Sequence, residues 1–471
     1  MTYRRRLLVL AICCLSLFVV SLDSTIVNVA LPSIQREFSA EVSSLQWTID
    51  AYAVVLASLL MLSGSMADRV GRRRVFQAGL ALFTFASLLC SVAPNIELLI
   101  AFRMLQAVGG SMLNPVAMSI VTNTFSDPRE RAHAIGIWGS VFGISMALGP
   151  IAGGALVDGV GWRSIFWVNV PIGIAAILLT ALFVPESKAP HPRRIDPVGQ
   201  LLVIVILGSL TYGIIEAPHA GWGSAQTVGC FALAVLSVAA LVRYEKRRAE
   251  PLLDPRFFAS IPFSGATLIA ITGFATLSGF LFLNAIYLQT VRGFTPLHAG
   301  LMTLPAALMI LVLAPVSGRL VASWGARFPL TVAGIAIALA GLLLATITAH
   351  TPVPLLLVVY FLFGVGFGLI NPPITNAAVS GMPRAQAGVA AAVASTSRMV
   401  GNVLGVAVLG AVVTSHVRGP IATGLTPASH IAWWIMAVCG IAITALGFVA
   451  TSARARRTAE RLAIEEMAVS A

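Results

Sequence analysis

The chain has 471 residues, of which 58% are hydrophobic and 10% charged, with a formal net charge of +12. A soluble domain carries about 25% charged residues, so this composition cannot cover a water-facing surface, and a soluble enzyme, a disordered chain and a secreted disulfide scaffold are excluded. At about 20 apolar residues per crossing plus a short loop, the length accommodates roughly a dozen or more membrane helices.

The apolar runs predict fourteen spans, at 7–31, 46–67, 75–94, 97–125, 133–157, 164–185, 195–216, 225–243, 262–290, 299–318, 329–349, 353–377, 386–415 and 430–452. The first follows Arg4–Arg6. It imitates a signal peptide, but no small-residue cleavage site follows and the run continues to Leu31, so it reads as an uncleaved helix. Asp23 lies ~24 Å along it, Asp50 a few residues into span two from its outer end, and Arg103 ~9 Å from the outer end of span four. An Asp at a helix centre costs about 2.5–3.5 kcal/mol on insertion scales, so such residues are functional candidates. Their common depth lets opposite charges pair. A buried carboxylate beside an arginine can bind and release a proton as a cavity opens to each side. A structural ion pair fixing helix register is the alternative, and Asp50 could simply line the outer vestibule.

The loop after span two reads Gly64-Ser-Met-Ala-Asp68-Arg69-Val-Gly71-Arg72-Arg73. In span four, Arg103, Gln106, Gly110 and Asn114 recur at steps of three and four, which stack on one helix face. In span five, Gly143, Gly149-Pro150 and Gly153-Gly154 combine close helix approach with a broken backbone bond, which suits a hinge, a leak seal or a packing groove. Polar stretches at 186–197 and 243–258 then divide the chain into an N-terminal six-helix bundle (1–186), a linker with two extra spans (187–259) and a C-terminal six-helix bundle with a tail (260–471). The loop after span ten, Gly318-Arg319 to Gly325-Ala-Arg327, repeats the first loop: Gly64/Gly318, Gly71/Gly325 and Arg73/Arg327 each lie 254 residues apart. At the same offset Asp23, Asp50 and Arg103 become Leu277, Leu304 and Leu357, so the second half lacks their chemistry. Gly364-Val-Gly366-Phe-Gly368 imitates a dinucleotide fingerprint, yet lies inside an apolar span with no strand before it and reads as helix packing. Arg398 lies ~18 Å into span thirteen without an obvious acidic partner, where positioning or substrate contact are both open. The expected fold class is an all-α polytopic membrane protein whose two six-helix halves enclose a binding site.

With the N-terminus inside, 24 of the 30 Lys and Arg residues fall in inner segments; Arg36, Arg163, Arg292 and Arg418 fall outside, and Arg103 and Arg398 within spans. The basic excess is therefore a topology signal and not a nucleic-acid surface. The five cysteines (Cys13, Cys14, Cys90, Cys230, Cys439) sit in apolar spans with neither a disulfide framework nor metal-ligand spacing. Lys188 and Lys246 are the only lysines and neither follows a Gly, so the chain has no P-loop. The seven histidines gather at loops and span ends, against a membrane-embedded enzyme or a metal site.

Gly64-x-x-x-Asp68-Arg69-x-Gly71-Arg72-Arg73 resembles the signature loop of the major facilitator superfamily. Leu22-Asp23-Ser-Thr-Ile-Val-Asn28-Val-Ala-Leu-Pro32 resembles the first-helix motif of its fourteen-helix drug:proton antiporters of the QacA/EmrB type. Arg103-Met-Leu-Gln106-Ala-Val-Gly109-Gly110, Gly149-Pro150-Ile-Ala-Gly153-Gly154 and Gly161-Trp162-Arg163-Ser-Ile-Phe166-Trp-Val-Asn169-Val-Pro171 are similar to further motifs of that branch. Ala322 stands where the repeated loop has its acid, a departure that weakens any symmetric role for the second loop. The resemblance implies a major facilitator fold of two six-helix bundles plus two inserted helices. It implies alternating access, with inward proton flow through Asp23, Arg103 and Asp50 driving export of amphipathic or cationic drugs or antibiotics. An exporter of an endogenous metabolite or lipid, or an importer of the same fold, are the alternatives. It implies no cofactor beyond the proton gradient, no metal and no nucleic acid. Its partners would be a small-molecule substrate, protons and the lipid bilayer, for a monomer in the cell membrane with both termini cytoplasmic. Gly64, Asp68, Arg69, Gly71, Arg72 and Arg73 would form a cytoplasmic latch. By helix position the substrate cavity would take Gln106, Asn114, Trp138, Phe142, Met146, Phe280, Asn284, Asn371, Asn376 and Arg398. If Asp23 serves protons, Asp50 is the acid left to recognise a cationic cargo.

Overall fold

A computed structural model describes residues 3–125, 127–189, 196–248, 255–380 and 387–470. Among them fourteen helices are long and apolar enough to cross a membrane, matching the number of apolar runs. The first three spans are single helices, α1 (Tyr3–Phe38), α2 (Val42–Val70) and α3 (Arg72–Ser91). Span four is split into α4 (Ile96–Ser111) and α5 (Asn114–Thr124), and Pro115 sits in the first turn of α5, where its missing N–H costs nothing. Span five is α6 (Pro128–Gly159), and span six is split into α7 (Ser164–Trp167) and α8 (Asn169–Phe183). The inserted pair is α9 (Pro197–Ala220) and α10 (Ala225–Glu245). The remaining spans are α11 (Ile261–Ile286), which ends in a wide turn at Tyr287–Val291, α12 (Pro296–Met302) leading into α13 (Leu304–Trp324), α14 (Arg327–Leu344), α15 (Val353–Ser380), α16 (Ala387–His416) and α17 (Ile421–Ala450). An amphipathic tail helix, α18 (Ala453–Ser470), follows. Two helices overrun their apolar runs the most. The 36 residues of α1 extend ~54 Å, well beyond a ~30 Å hydrocarbon core, and α17 starts nine residues before position 430.

The chain forms two compact units, one of residues 1–207 with 294–301 and one of 208–293 with 302–471. In the first unit α1 packs along α6, α2 and α3 along α4, and α3 along α8. In the second, α11 packs along α16, α13 and α14 along α15, and α14 along α17. These are the same pairings moved on by one half, so the repeat seen in the two loops extends to helix packing. The first turn of α9 is capped by Asp196, which accepts from the Gly199 N–H at 2.9 Å, and Gln200 donates to the Ser58 carbonyl of α2. The exposed apolar residues of α10, among them Val235 and Leu236, suit contact with lipid.

Close helix approach in the second unit depends on small residues. A Cβ on Gly364 would lie 2.5 Å from the Ala306 carbonyl oxygen, and one on Gly366 2.5 Å from Ile337 Cγ1. The Gly-x-Gly-x-Gly run of α15 is thus the seat for α13 on one side and α14 on the other, as expected of membrane helices held by packing alone. Gly366→Leu should overpack this seam at a cost of about 1–3 kcal/mol. The measurement is the unfolding midpoint of the purified protein by size-exclusion fluorescence, and an unshifted midpoint would show that the seam can open without penalty.

Candidate functional site

Asn95 opens α4 by accepting from the Leu98 N–H at 2.9 Å, and two turns on the helix carries Arg103. The Arg103 side chain is 1% exposed and Asp23 of α1 is 0% exposed. Arg103 Nη1 donates to Asp23 Oδ2 at 2.5 Å and to Gln106 Oε1 at 2.6 Å, while its Nε donates to the Thr48 carbonyl of α2 at 3.3 Å. Asp23 Oδ1 accepts from Gln106 Nε2 at 2.9 Å and from Asn169 Nδ2 of α8 at 3.0 Å. Ser87 Oγ of α3 accepts from Gln106 at 2.7 Å and from Asn169 at 3.5 Å. Tyr52 lays its ring 4.0 Å from the guanidinium carbon, in cation–π contact. The carboxylate therefore has three donors and a full counter-charge, which is what burial of an ion requires.

The charge pairing expected of Asp23 and Arg103 is present. Gln106, expected among cavity residues, is instead fully buried within this network. Asn169 was named from the sequence only within a motif of the resemblance, without a role, and Ser87 not at all. An Asn inside the apolar stretch 165–183 was a usable signal for the first, whereas a lone span Ser carries none. Asp50 stands apart. It is 0% exposed on α2, and neither carboxylate oxygen has a hydrogen-bond partner.

Two further features bear on this cluster. The residues just after Asp23 press into the glycines of α6: a Cβ on Gly149 would strike the Thr25 side chain, and one on Gly153 would lie 2.7 Å from Ile26 Cγ1. Gly154 of the same helix meets the segment 294–301, where its Cβ would lie 2.5 Å from the Pro296 carbonyl oxygen, and Pro150 packs against Gly300. Asp158, one turn on, accepts from the Leu297 N–H at 2.8 Å.

The loop between α2 and α3 is tied down by a residue the sequence reading passed over. Asp68 pairs with Arg72 at 2.9 Å. Glu186, after α8, accepts from the backbone N–H of Arg73 at 3.1 Å and of Ser187 at 3.0 Å, placing a carboxylate at the N-terminus of α3. The Arg72 N–H donates to the Ser187 carbonyl at 2.9 Å, and the Ala189 N–H to the Asp68 carbonyl at 3.1 Å. Gly71 has φ +128°, a region L side chains rarely adopt, and a Cβ there would also strike Glu186. Gly64 packs near Pro115, Arg69 is exposed, and Arg73 Nη1 donates to the Val184 carbonyl at 3.4 Å.

Among the other cavity candidates, Asn114 Oδ1 and Trp138 Nε1 are buried without a partner, and Met146 is half-buried. The side chain of Phe142 lies outside the described residues. Phe280 is 1% exposed inside the second unit, stacked on Phe363 at 4.2 Å, and Asn284 accepts from the Tyr360 hydroxyl at 2.6 Å. Asn376 is exposed, Asn371 has a buried, unpartnered Oδ1, and Arg398 reaches Thr375. Among the described residues no group of three or more His, Cys, Asp or Glu could hold a metal ion.

A family model described as Major Facilitator Superfamily matches residues 13–406. The chain is 39% identical over 412 residues to the multidrug resistance protein Stp of Mycobacterium tuberculosis, covering 88% of this chain and 76% of that one. It is 35% identical to the multidrug efflux pump LfrA of Mycolicibacterium smegmatis (90% and 85% covered) and 35% identical to the tetracenomycin C resistance and export protein of Streptomyces glaucescens (84% and 74%). An inward-facing, occupied structure of a bacterial homolog to the human lysosomal transporter Spinster aligns over 99% of both chains with a TM-score of 0.66 at 18% identity, a likeness of fold.

The network makes a stability prediction of its own. Asn169→Leu removes one of three donors to Asp23 and should cost about 1–3 kcal/mol, since a buried charged acceptor loses a bond it cannot replace from water. A lowered thermal midpoint in detergent, with insertion into the membrane retained, is expected; an unchanged midpoint would mean the Asn169 amide does not support the carboxylate.

Proposed function

The chain belongs to the major facilitator superfamily, and from that premise we propose that it is a proton-coupled exporter of amphipathic or cationic drugs or antibiotics, working by alternating access in the cell membrane. The export reading is supported by relatives named as efflux pumps and resistance proteins. The observation that carries the coupling is the buried Asp23, inside a membrane span and held by Arg103, Gln106 and Asn169.

Its chemistry suits a proton switch. Charged Asp23 binds Arg103 and ties α1 to α4 and α8. Protonation removes the counter-charge of Arg103 and makes one carboxylate oxygen an O–H donor, which disturbs the Arg103 bond if it falls on Oδ2 and the Gln106 and Asn169 bonds if it falls on Oδ1. The adjoining turn of α1 rests on Gly149 and Gly153, where small residues leave the helices free to shift without side-chain interlock. Asp50 is a further candidate proton site, because an ionised carboxylate with no donor among the described residues would cost several kcal/mol at that depth. Release of that proton would leave Asp50 free to meet a positive charge on the cargo. The Asp68–Arg72 pair and the Glu186 contacts form a latch on the cytoplasmic side of the first unit.

Asp23→Asn keeps the shape of the side chain and removes the titrating group. Export from cells should lose its dependence on the proton gradient and fall to background, while the protein remains in the membrane fraction. Accumulation assays with and without a protonophore decide this, and continued proton-dependent export by the variant would remove Asp23 from the coupling path. With both termini cytoplasmic, a cysteine probe at Ser224, in the turn before α10, should label from outside the cell and one at Ser187 should not. The reverse labelling would invert the orientation of every loop.

A further inference from the structure

Between Asp254 and Glu460 the sequence contains no Asp or Glu, so the last six spans hold no carboxylate. They do hold a half-buried cation. Arg398 lies within the 30-residue helix α16, ~16 Å from its Ala387 end and ~27 Å from its His416 end. A guanidinium cannot shed its charge in a protein, and at a span centre it costs about 2.5–3.5 kcal/mol on insertion scales. Arg103 is met by Asp23; among the described residues the hydrogen-bond partners of Arg398 are hydroxyls. Its Nη2 donates to Thr375 Oγ1 of α15 at 2.5 Å and its Nη1 to Ser395 Oγ at 3.4 Å. Its Nε is buried with no acceptor, and one turn before Thr375 the buried Asn371 Oδ1 also has no partner. Among the described residues Arg398 makes no ion pair. Hydroxyl oxygens satisfy N–H groups, but they do not neutralise a net charge.

The placement is fixed by packing. A Cβ on Gly401 would lie 2.5 Å from the Ile271 carbonyl oxygen and 3.0 Å from Phe274 Cβ, so α16 lies hard against α11. The guanidinium carbon then sits 6.0 Å from the Phe274 ring, with the residue still partly open. We propose that Arg398, oriented by Thr375 and Ser395, is a recognition site for the anionic group of an amphipathic organic cargo, a carboxylate or sulfonate that the planar fork can take through two N–H groups. Arg398 lies ~9 Å inside the apolar span that begins at Ala392. The inference rests on the export reading and widens the cargo from cations to organic anions and zwitterions.

Two dyes of one skeleton test it on the full chain in phosphatidylcholine nanodiscs, with empty discs subtracted. They are 8-anilinonaphthalene-1-sulfonate and its uncharged parent N-phenyl-1-naphthylamine. The wild type should bind the sulfonate more tightly than the parent. Arg398→Gln should weaken the sulfonate by about tenfold or more, the size of one charge-assisted contact, and leave the neutral dye within about twofold. Arg398→Lys, which keeps the charge and loses the fork, should fall between. A wild type with no preference for the sulfonate overturns the proposal without any variant, and so does an Arg398→Gln protein that loses both dyes equally, which is the signature of a packing role. Ethidium efflux from cells expressing the wild type separates the two readings. Ethidium export without a sulfonate preference defeats this inference alone, whereas a wild type that neither exports ethidium nor binds either naphthyl dye defeats the export reading with it.

Discussion

An ionised carboxylate inside a membrane span is tolerable only when its charge and its lone pairs are both answered, and Asp23 meets that condition through side chains from three other spans. Arg103 supplies the counter-charge, Gln106 and Asn169 the remaining donors, and Ser87 and Thr48 accept the N–H groups left over. Five of the first six spans therefore meet at one point. In a low-dielectric interior a fully satisfied network is stiff, and a partly satisfied one is costly, so any change in the charge of Asp23 would disturb every helix that contributes to the network.

The sixth helix of that set, α6, joins through backbone proximity instead of polar chemistry. Its glycines let α1 approach closely beside Asp23 and let residues 294–301 settle one turn further along, where Asp158 holds the Leu297 N–H. A stretch of the second half of the sequence is thereby part of the first compact unit. On the cytoplasmic side, by the orientation proposed here, Glu186 does for the α2–α3 loop what Asp23 does in the interior. It accepts the Arg73 N–H that the N-terminus of α3 leaves unsatisfied, together with the N–H of its own neighbour Ser187.

The two units repeat one pattern of helix pairs but not one chemistry. In the first, buried acids and an arginine balance within the protein. In the second, small residues and aromatic rings form the core, with Phe280 against Phe363, Tyr360 and Trp433, and Arg398 has no acid among the last six spans. A repeated scaffold whose halves carry different charge balances can give proton and cargo different places to act, because only backbone geometry is inherited by the repeat.

Much of this was legible in the sequence. The span count, the inserted pair, the repeat and the depth of Asp23, Asp50, Arg103 and Arg398 follow from hydropathy and a fixed rise per residue, which are local properties. So does the packing role of the Gly364–Gly368 run, since small residues on an apolar helix let neighbouring helices approach closely. What tertiary structure decided is partnership. Asp23 meets residues 80, 83 and 146 positions away, and whether Gln106 faced a cavity or the ion pair depended on how α4 is rotated against α1. Glu186 lay in a stretch readable only as a polar linker, and residues 294–301 carried no mark of packing with the first half. Such facts are set by the relative rotation and translation of helices, which apolar composition leaves free and which close contacts between small residues and satisfied buried charges finally fix.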